Sequence, residues 1–203
     1  ENTLFVLIEN WLERTPFLDW GETSFWKEYE SAVINMLSDD RTLIETNNKL
    51  SEKEKKKYLD EYKKTEASFG VVLNETEHAK MVKNGSWRLS YKATQAALLI
   101  LLYRDQPILH NPYLLITKLA DVDELFTTWR YRHVLMVSRM IGKKIGTGGS
   151  TGSSYLSESA QKHRVFSDLS ELTTFLIPRS ALPELPREIK DELNFYFNVR
   201  KDK

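Results

Sequence analysis

Four histidines are the side chains with the widest chemical range in this chain, and one of them stands apart from the others. His133 lies in FTTWRYRHVLMVSRMIG, where Phe126, Trp129, Met136, Val137, Met140 and Ile141 surround it at helical spacing and Arg130 is the single charge on the stripe. Gly142 is placed to end that helix in a left-handed cap. After residues 143–145 comes GTGGSTGSS, a run without a large side chain. Successive backbone N–H groups in such a run can converge on an anion, and Thr147 and Ser150 add hydroxyl donors. An imidazole in an apolar wall beside an anion-binding run suits a flat apolar cofactor that carries carboxylates, and haem is the candidate. Two plainer readings stand beside this one: a satisfied core histidine, and a loop or linker of glycine and serine. The run has neither the GxxxxGK[ST] spacing of a P-loop nor a dinucleotide fingerprint following a strand.

Other chemical groupings are thinner. His78, His110 and His163 are far apart in polar surroundings, with no HxxxH or HExxH spacing, so zinc has little support. No serine stands in a GxSxG elbow. Most carboxylates are interleaved with lysines in helix-surface patterns, which favours solvation over acid–base work. WLERTP offers one more possibility. There Trp11, Arg14 and Thr15, ahead of Pro16, can cup a small amino acid by stacking and a carboxylate-binding guanidinium. The plainer alternative is a tryptophan packed on a neighbouring helix, with an arginine at the helix end.

The elements that must position these groups read as helices throughout. Leu4, Leu7, Ile8, Trp11 and Leu12 recur at helical spacing, and the segment ends near Arg14-Thr15-Pro16. Phe25, Trp26, Tyr29, Val33 and Leu37 form a second stripe. Residues 49–64 are dense in charge, with Glu52–Lys56 and Asp60–Lys64 spaced for surface pairs, over an inner face of Tyr58, Leu59, Tyr62, Ala67 and Phe69. Residues 74–83 make a short helix stopped by Gly85. Ser90 caps a helix to about Arg104 that is apolar nearly all round, which belongs in the middle of a bundle or at a subunit interface. Asn111 and Pro112 are expected to be the N-cap and first position of the helical stretch that leads to His133. Residues 166–177 form a helix stopped by Pro178, and residues 187–199 a last amphipathic one. No convincing strand or repeat is predicted.

Composition bounds the class. At 203 residues the chain can bury a substantial core. Its 29 basic and 29 acidic residues cancel, so nothing points to nucleic acid or to an anionic membrane. With no cysteine, disulfides, thiolate metal sites and a cysteine nucleophile are excluded. The longest apolar run, residues 96–103, is far short of the roughly 20 residues that span a bilayer, and no basic n-region precedes an apolar core near residue 1. A cytoplasmic location is the expectation.

WRYRHVLMVSRMIGKKIGTGGSTG, followed by YLSESAQKHRVFSDLSELTTFLIPRSALP, resembles the C-terminal half of tryptophan 2,3-dioxygenase. The likeness runs back through LLITKLADVDELFTTW and WRLSYKATQAALLILLYRDQP to WLERTP, and so covers nearly all of the chain. It implies an all-α fold, a helical bundle of the haem dioxygenase type with a small helical insertion of the kind animal members carry. On that basis residues 1–22 and 86–203 belong to the main haem-binding domain, and residues 23–85 are the insertion. The family is a homotetramer, a dimer of dimers, that uses haem b to insert both atoms of O2 across the indole C2–C3 bond of L-tryptophan. The product is N-formylkynurenine, in the first step of tryptophan breakdown.

Carried over residue by residue, the resemblance makes His133 the axial ligand of the haem iron, with Trp129 and Val137 beside the cofactor. Thr147 and Gly148 meet the substrate's amino-acid end, and Thr147 also meets a haem propionate. Trp11, Arg14, Thr15 and Pro16 match a segment associated with a second tryptophan site. The chain departs from the family at Thr151, where a serine is usual, at Ser153, where an aromatic is common, and at Ser157, where an arginine follows the leucine. No stretch matches the family's distal histidine or the arginine that clamps the substrate carboxylate. The chain opens without an initiator methionine, already inside an amphipathic pattern. It is therefore expected to work with an N-terminal half of the same protein. The competing expectation is a helical scaffold or interaction protein that keeps the fold without the chemistry.

Overall fold

A computed structural model describes residues 3–141 and 164–194. The expectations for the Gly142 cap, the GTGG run, His163 and the end of the last helix lie outside the described residues. The chain divides into two compact units, Glu1–Tyr113 with Leu172–Lys203, and Leu114–Glu171. Among the described residues the regular elements are helices apart from one minimal hairpin, so the architecture is all-α.

In the first unit α1 spans Leu4–Glu13, with the Thr3 hydroxyl accepting from Val6 N at 3.3 Å. Its buried residues are Phe5 and Leu12, while Leu4 and Leu7 are 56% and 50% exposed. The expected stripe is thus rotated, and the reason lies outside the helix. Ser90 donates its N–H to Glu9 at 2.8 Å and its hydroxyl to Glu13 at 2.5 Å, so these two acids face inward and set the roll of α1. The Arg88 guanidinium lies 3.9 Å from the centre of the Phe5 ring on the same face.

Past Pro16 the chain makes the hairpin that the sequence did not announce. Strands β1 (Asp19–Trp20) and β2 (Thr23–Ser24) pair antiparallel. Gly21 supplies a φ of +78° at the turn, and the Asp19 carboxylate accepts the Gly21 N–H at 3.1 Å. Four helices follow, each opened by a capping side chain: α2 (Phe25–Thr46) by Ser24, α3 (Glu52–Leu73) by Ser51, α4 (Glu75–Lys83) by Asn74 and α5 (Tyr91–Leu102) by Ser90. At α3 the cap is a full capping box with Glu54. Gly85, at φ +78°, ends α4 as expected.

The core is built on α5, which buries Ala93, Thr94, Ala96, Ala97, Leu98, Leu99, Ile100 and Leu101. It therefore sits in the middle of its bundle. Phe25 and Tyr29 are fully buried beside Trp20 and Tyr103. The Tyr29 hydroxyl donates to the Phe175 carbonyl at 2.5 Å, and that of Tyr103 to the Pro183 carbonyl at 2.7 Å. Burial pushes both phenols well above the usual tyrosine range. These bonds tie down the returning chain, a 3₁₀ turn at Leu172–Phe175 and a second at Arg179–Ala181, ahead of the last helix from Arg187.

Two expectations are corrected here. His78, expected in polar surroundings, is 2% exposed, 3.2 Å from the Thr94 hydroxyl and edge-on to Trp87 and Tyr91. Its helix carries Glu75, Glu77 and Lys80 outward, and the one inward position went unrecognised among them. The single helix expected over residues 166–177 is a short α-helix, Ser167–Glu171, that tightens into the 3₁₀ turn at Leu172. Pro178 has no N–H to offer the Thr174 carbonyl, so a further α turn has no bond to close it.

Helix α6 runs Pro107–Ile141, beginning in the first unit and continuing as the main element of the second. It does not open at Asn111–Pro112. Pro107 already takes the first position, where a missing N–H costs nothing, and Pro112 lies inside the helix. There it forfeits one bond, to the Ile108 carbonyl, while its fixed φ stays helical. Asp123 and Val134 are the deeply buried residues of α6 beyond Leu114, apart from Ile116. Helix α7, Ser167–Glu171, completes the second unit, with Phe166, Asp168 and Leu169 buried.

Candidate functional site

In the second unit α6 presents one long apolar stripe to solvent. Val122, Leu125, Phe126, Trp129, Met136 and Met140 fall on one helical face, and all are 44% exposed or more. From Val122 to Met140 the stripe is about 27 Å long at the helical rise. A sequence of this polarity would ordinarily turn such residues inward, and an exposed apolar face of this length marks a surface meant to be covered. Val122, Leu125, Phe126 and Trp129 line a depression of about 360 Å³ on it.

His133 stands in the middle of the stripe, half-buried. The Trp129 ring, one turn earlier, stacks on its imidazole with centroids 5.5 Å apart and planes 14° from parallel. That stacking holds the imidazole by its face and leaves its edge, where both nitrogens are, unblocked by Trp129. Among the described residues no hydrogen bond reaches either ring nitrogen. Val137, half-buried, follows one turn later on the same side. The Arg130 guanidinium lies 5.9 Å from the Phe126 ring centre, keeping the charge of the stripe at its edge.

Chemically, this arrangement offers a nitrogen donor set in a bare apolar wall. A neutral imidazole with an open nitrogen is a metal ligand, and the wall beside it suits a flat macrocycle more than a hydrated ion. No group of three or more His, Cys, Asp or Glu among the described residues could hold a metal directly. His133 in its apolar wall would suit haem, which needs one donor from the protein and brings its other ligands in the macrocycle.

The structure brings Trp129, His133 and Val137 onto one side of α6. Thr147 and Gly148 lie outside the described residues. In the first unit, Trp11 is half-buried and Arg14, the C-cap residue of α1, is exposed. Arg14 donates its Nε–H to the Asn10 carbonyl at 3.0 Å, leaving its terminal N–H groups facing outward. Thr15 is half-buried and donates its backbone N–H to Leu12 at 2.9 Å, and Pro16 is exposed. Immediately after, Phe17 adopts φ +75°, a left-handed conformation that is costly for an aromatic residue. Its carbonyl accepts the Trp20 indole N–H at 2.8 Å, a contact that holds the bend.

Sequence reasoning missed Asp123. This residue is 3% exposed on α6, and its carboxylate accepts the backbone N–H groups of Val165 at 2.9 Å and Phe166 at 3.3 Å. The available signal was faint: an acid between Val122 and Glu124 in a segment whose other acids are solvated.

A family model described as tryptophan 2,3-dioxygenase matches residues 1–176. The chain is 49% identical to the tryptophan 2,3-dioxygenase of Bdellovibrio bacteriovorus over 94% of this chain and 53% of that protein. It is 42% identical to that of Dictyostelium discoideum, over 98% of this chain and 50% of the relative. With the Mus musculus protein it shares 40% identity over 91% and 45%. The chain spans about half the length of the curated relatives it matches. A match across most of these 203 residues settles the affiliation, and the chain belongs to the tryptophan 2,3-dioxygenase family.

Proposed function

We propose that this chain supplies the imidazole that would hold the iron of a haem enzyme that opens the indole ring of L-tryptophan with O2 to give N-formylkynurenine. The observation that carries the reading is His133, with no hydrogen bond to its ring nitrogens among the described residues, centred on an apolar stripe that the described residues leave uncovered. When bound, the haem supplies the redox-active iron that O2 chemistry requires.

The protein's contributions follow from its own side chains. His133 donates a ring nitrogen, and whichever group accepts its other N–H tunes its basicity. Trp129 restricts rotation of the imidazole and, with Val137, excludes water from its surroundings. Thr147 and Gly148 take the substrate's carboxylate and ammonium through a hydroxyl and backbone N–H groups, which holds the indole in one orientation. A haem propionate shares Thr147. The distal histidine and the carboxylate-clamping arginine come from a region corresponding to the other half of the relatives. On the same reading, residues 23–85 are a helical insertion on the main domain. Trp11, Arg14, Thr15 and Pro16 form a second tryptophan site, and the assembly is a cytoplasmic homotetramer. Among the described residues no helix is long and apolar enough to cross a membrane.

The test is His133→Ala in the full-length protein. The substitution should abolish the spectrum of histidine-ligated haem and weaken haem retention. It should also lower the melting temperature, because a cofactor that binds only the folded state stabilises it by mass action. Equal haem content and equal spectra in the two proteins would overturn the assignment.

A further inference from the structure

Helices α2 and α3 pack together in the first unit and leave between them a groove of about 510 Å³. Val33, Leu37 and Phe69 make a buried apolar floor, while Ile34 on the wall is 57% exposed. The groove runs along α2 from Glu30 to Arg41, about 17 Å at the helical rise. The two helices have 22 residues each, yet α3 buries only Phe69 and Val72, and α2 buries nothing beyond Leu37. Helices of this length ordinarily gain their stability by packing an apolar face on a neighbour.

Gly70 stands on the wall of this groove. It is exposed in the interior of α3, and a Cβ built on it would meet nothing within 4 Å. Glycine inside a helix costs stability, and an alanine there would touch none of the described residues. A bare backbone at this point is explained when another element comes close to it, because the distance between packed helices is set by the side chains at their crossing. The ends of the groove also differ. Glu30 makes no hydrogen bond or ion pair among the described residues. At the other end Arg41 gives its Nε–H to Glu45 at 2.9 Å and the Tyr62 hydroxyl donates to Glu66 at 3.2 Å, so the charges there are already engaged.

The chain spans about half the length of its relatives, so a protein of their length has as much again to pack against these residues. We propose that the α2–α3 groove is the docking site for an amphipathic helix from that other half. The helix lays its apolar stripe on Val33, Leu37 and Phe69, passes its backbone close to Gly70 and sets a lysine or arginine at Glu30. The span takes about eleven residues, or three turns. This role rests on the reading that the chain works with the rest of a longer protein, and it is independent of haem and of His133.

The chain has no cysteine, so one thiol can be introduced at a chosen position. Gly70→Cys is labelled with a maleimide in the chain alone and in the full-length protein, and the adduct is read on the peptide that contains residue 70. Lys64→Cys, exposed on α3 away from the groove, gives the reference rate. In the chain alone the two positions should label alike. In the full-length protein position 70 should label at least about tenfold more slowly than position 64, because the docked helix has to open first. Equal rates there overturn the proposal. Protection already present in the chain alone, and growing with its concentration, means that a second copy fills the groove, which overturns it too. Ser38→Cys probes the facing wall on α2 and must show the same protection, so the test stands if Gly70→Cys fails to fold. Gly70→Leu should lower the melting temperature of the full-length protein and not that of the chain alone; an equal effect in both contradicts docking. Failure of the wider reading is visible separately, as a chain and an N-terminal half that do not co-elute when mixed, and it takes the proposal with it.

Discussion

At the scale of single residues, the proposed function divides the chemistry between a group that holds a cofactor and groups that hold a substrate, and substitutions should separate them. Thr147→Ala in the full-length protein should leave the haem spectrum intact and raise the tryptophan requirement. One hydrogen bond to a charged group is worth on the order of 1.5–3 kcal/mol, a tenfold to hundredfold loss, and steady-state kinetics will show it. Unchanged tryptophan kinetics would remove Thr147 from the site. The placement of His133 on an apolar helix face was legible because its neighbours repeat at 3.6-residue intervals and one helix suffices to place them. Asp123 and His78 were not. What buries Asp123 is a pair of amides 42 residues later, and what satisfies His78 is a hydroxyl 16 residues later. Neither partner leaves a trace in the local pattern, where Asp123 looks like its solvated neighbours Asp121 and Glu124.

At the scale of elements, the Ser90 cap and the Gly85 stop read true because capping is local chemistry. Ser24, Ser51, Asn74 and Ser90 each accept from the N–H three residues on, and Gly85 turns left-handed where a helix had to stop. Pro112 misled because proline at a first turn and proline inside the second turn look alike until the upstream start at Pro107 is known. The roll of α1 was likewise hidden, since Ser90 sets it from another helix. One glycine gives a test at this scale. Gly70 lies in the interior of α3, on a cleft of about 510 Å³ between α2 and α3, and a Cβ added there would meet nothing within 4 Å. Neither a positive φ nor close packing calls for glycine. Gly70→Ala should therefore stabilise the fold by about 0.5–1 kcal/mol, read as a higher midpoint in urea unfolding. A lower midpoint would show that α3 is not the helix described here.

At the scale of the whole molecule, the first unit buries its central helix α5 on all sides, while the second leaves the His133 stripe open along α6. The curated relatives it matches are about twice as long, and in the function proposed above haem covers His133 and the rest of the protein surrounds the haem. That division was visible in the sequence only through resemblance, because periodicity reports that a face is apolar and not what lies against it. In the proposed function the substrate's carboxylate clamp comes from the other half, and orientation alone accounts for up to about 7–11 kcal/mol of a favourable enzymatic barrier reduction. The most direct measurement gives haem, L-tryptophan and O2 to the purified chain alone and to the chain mixed with the N-terminal half. Both the Soret band and the absorbance of N-formylkynurenine are followed. The chain alone should form no N-formylkynurenine, and adding the N-terminal half should bring up both signals together. Turnover by the monomeric chain alone, at a rate like that of the pair, would contradict the account.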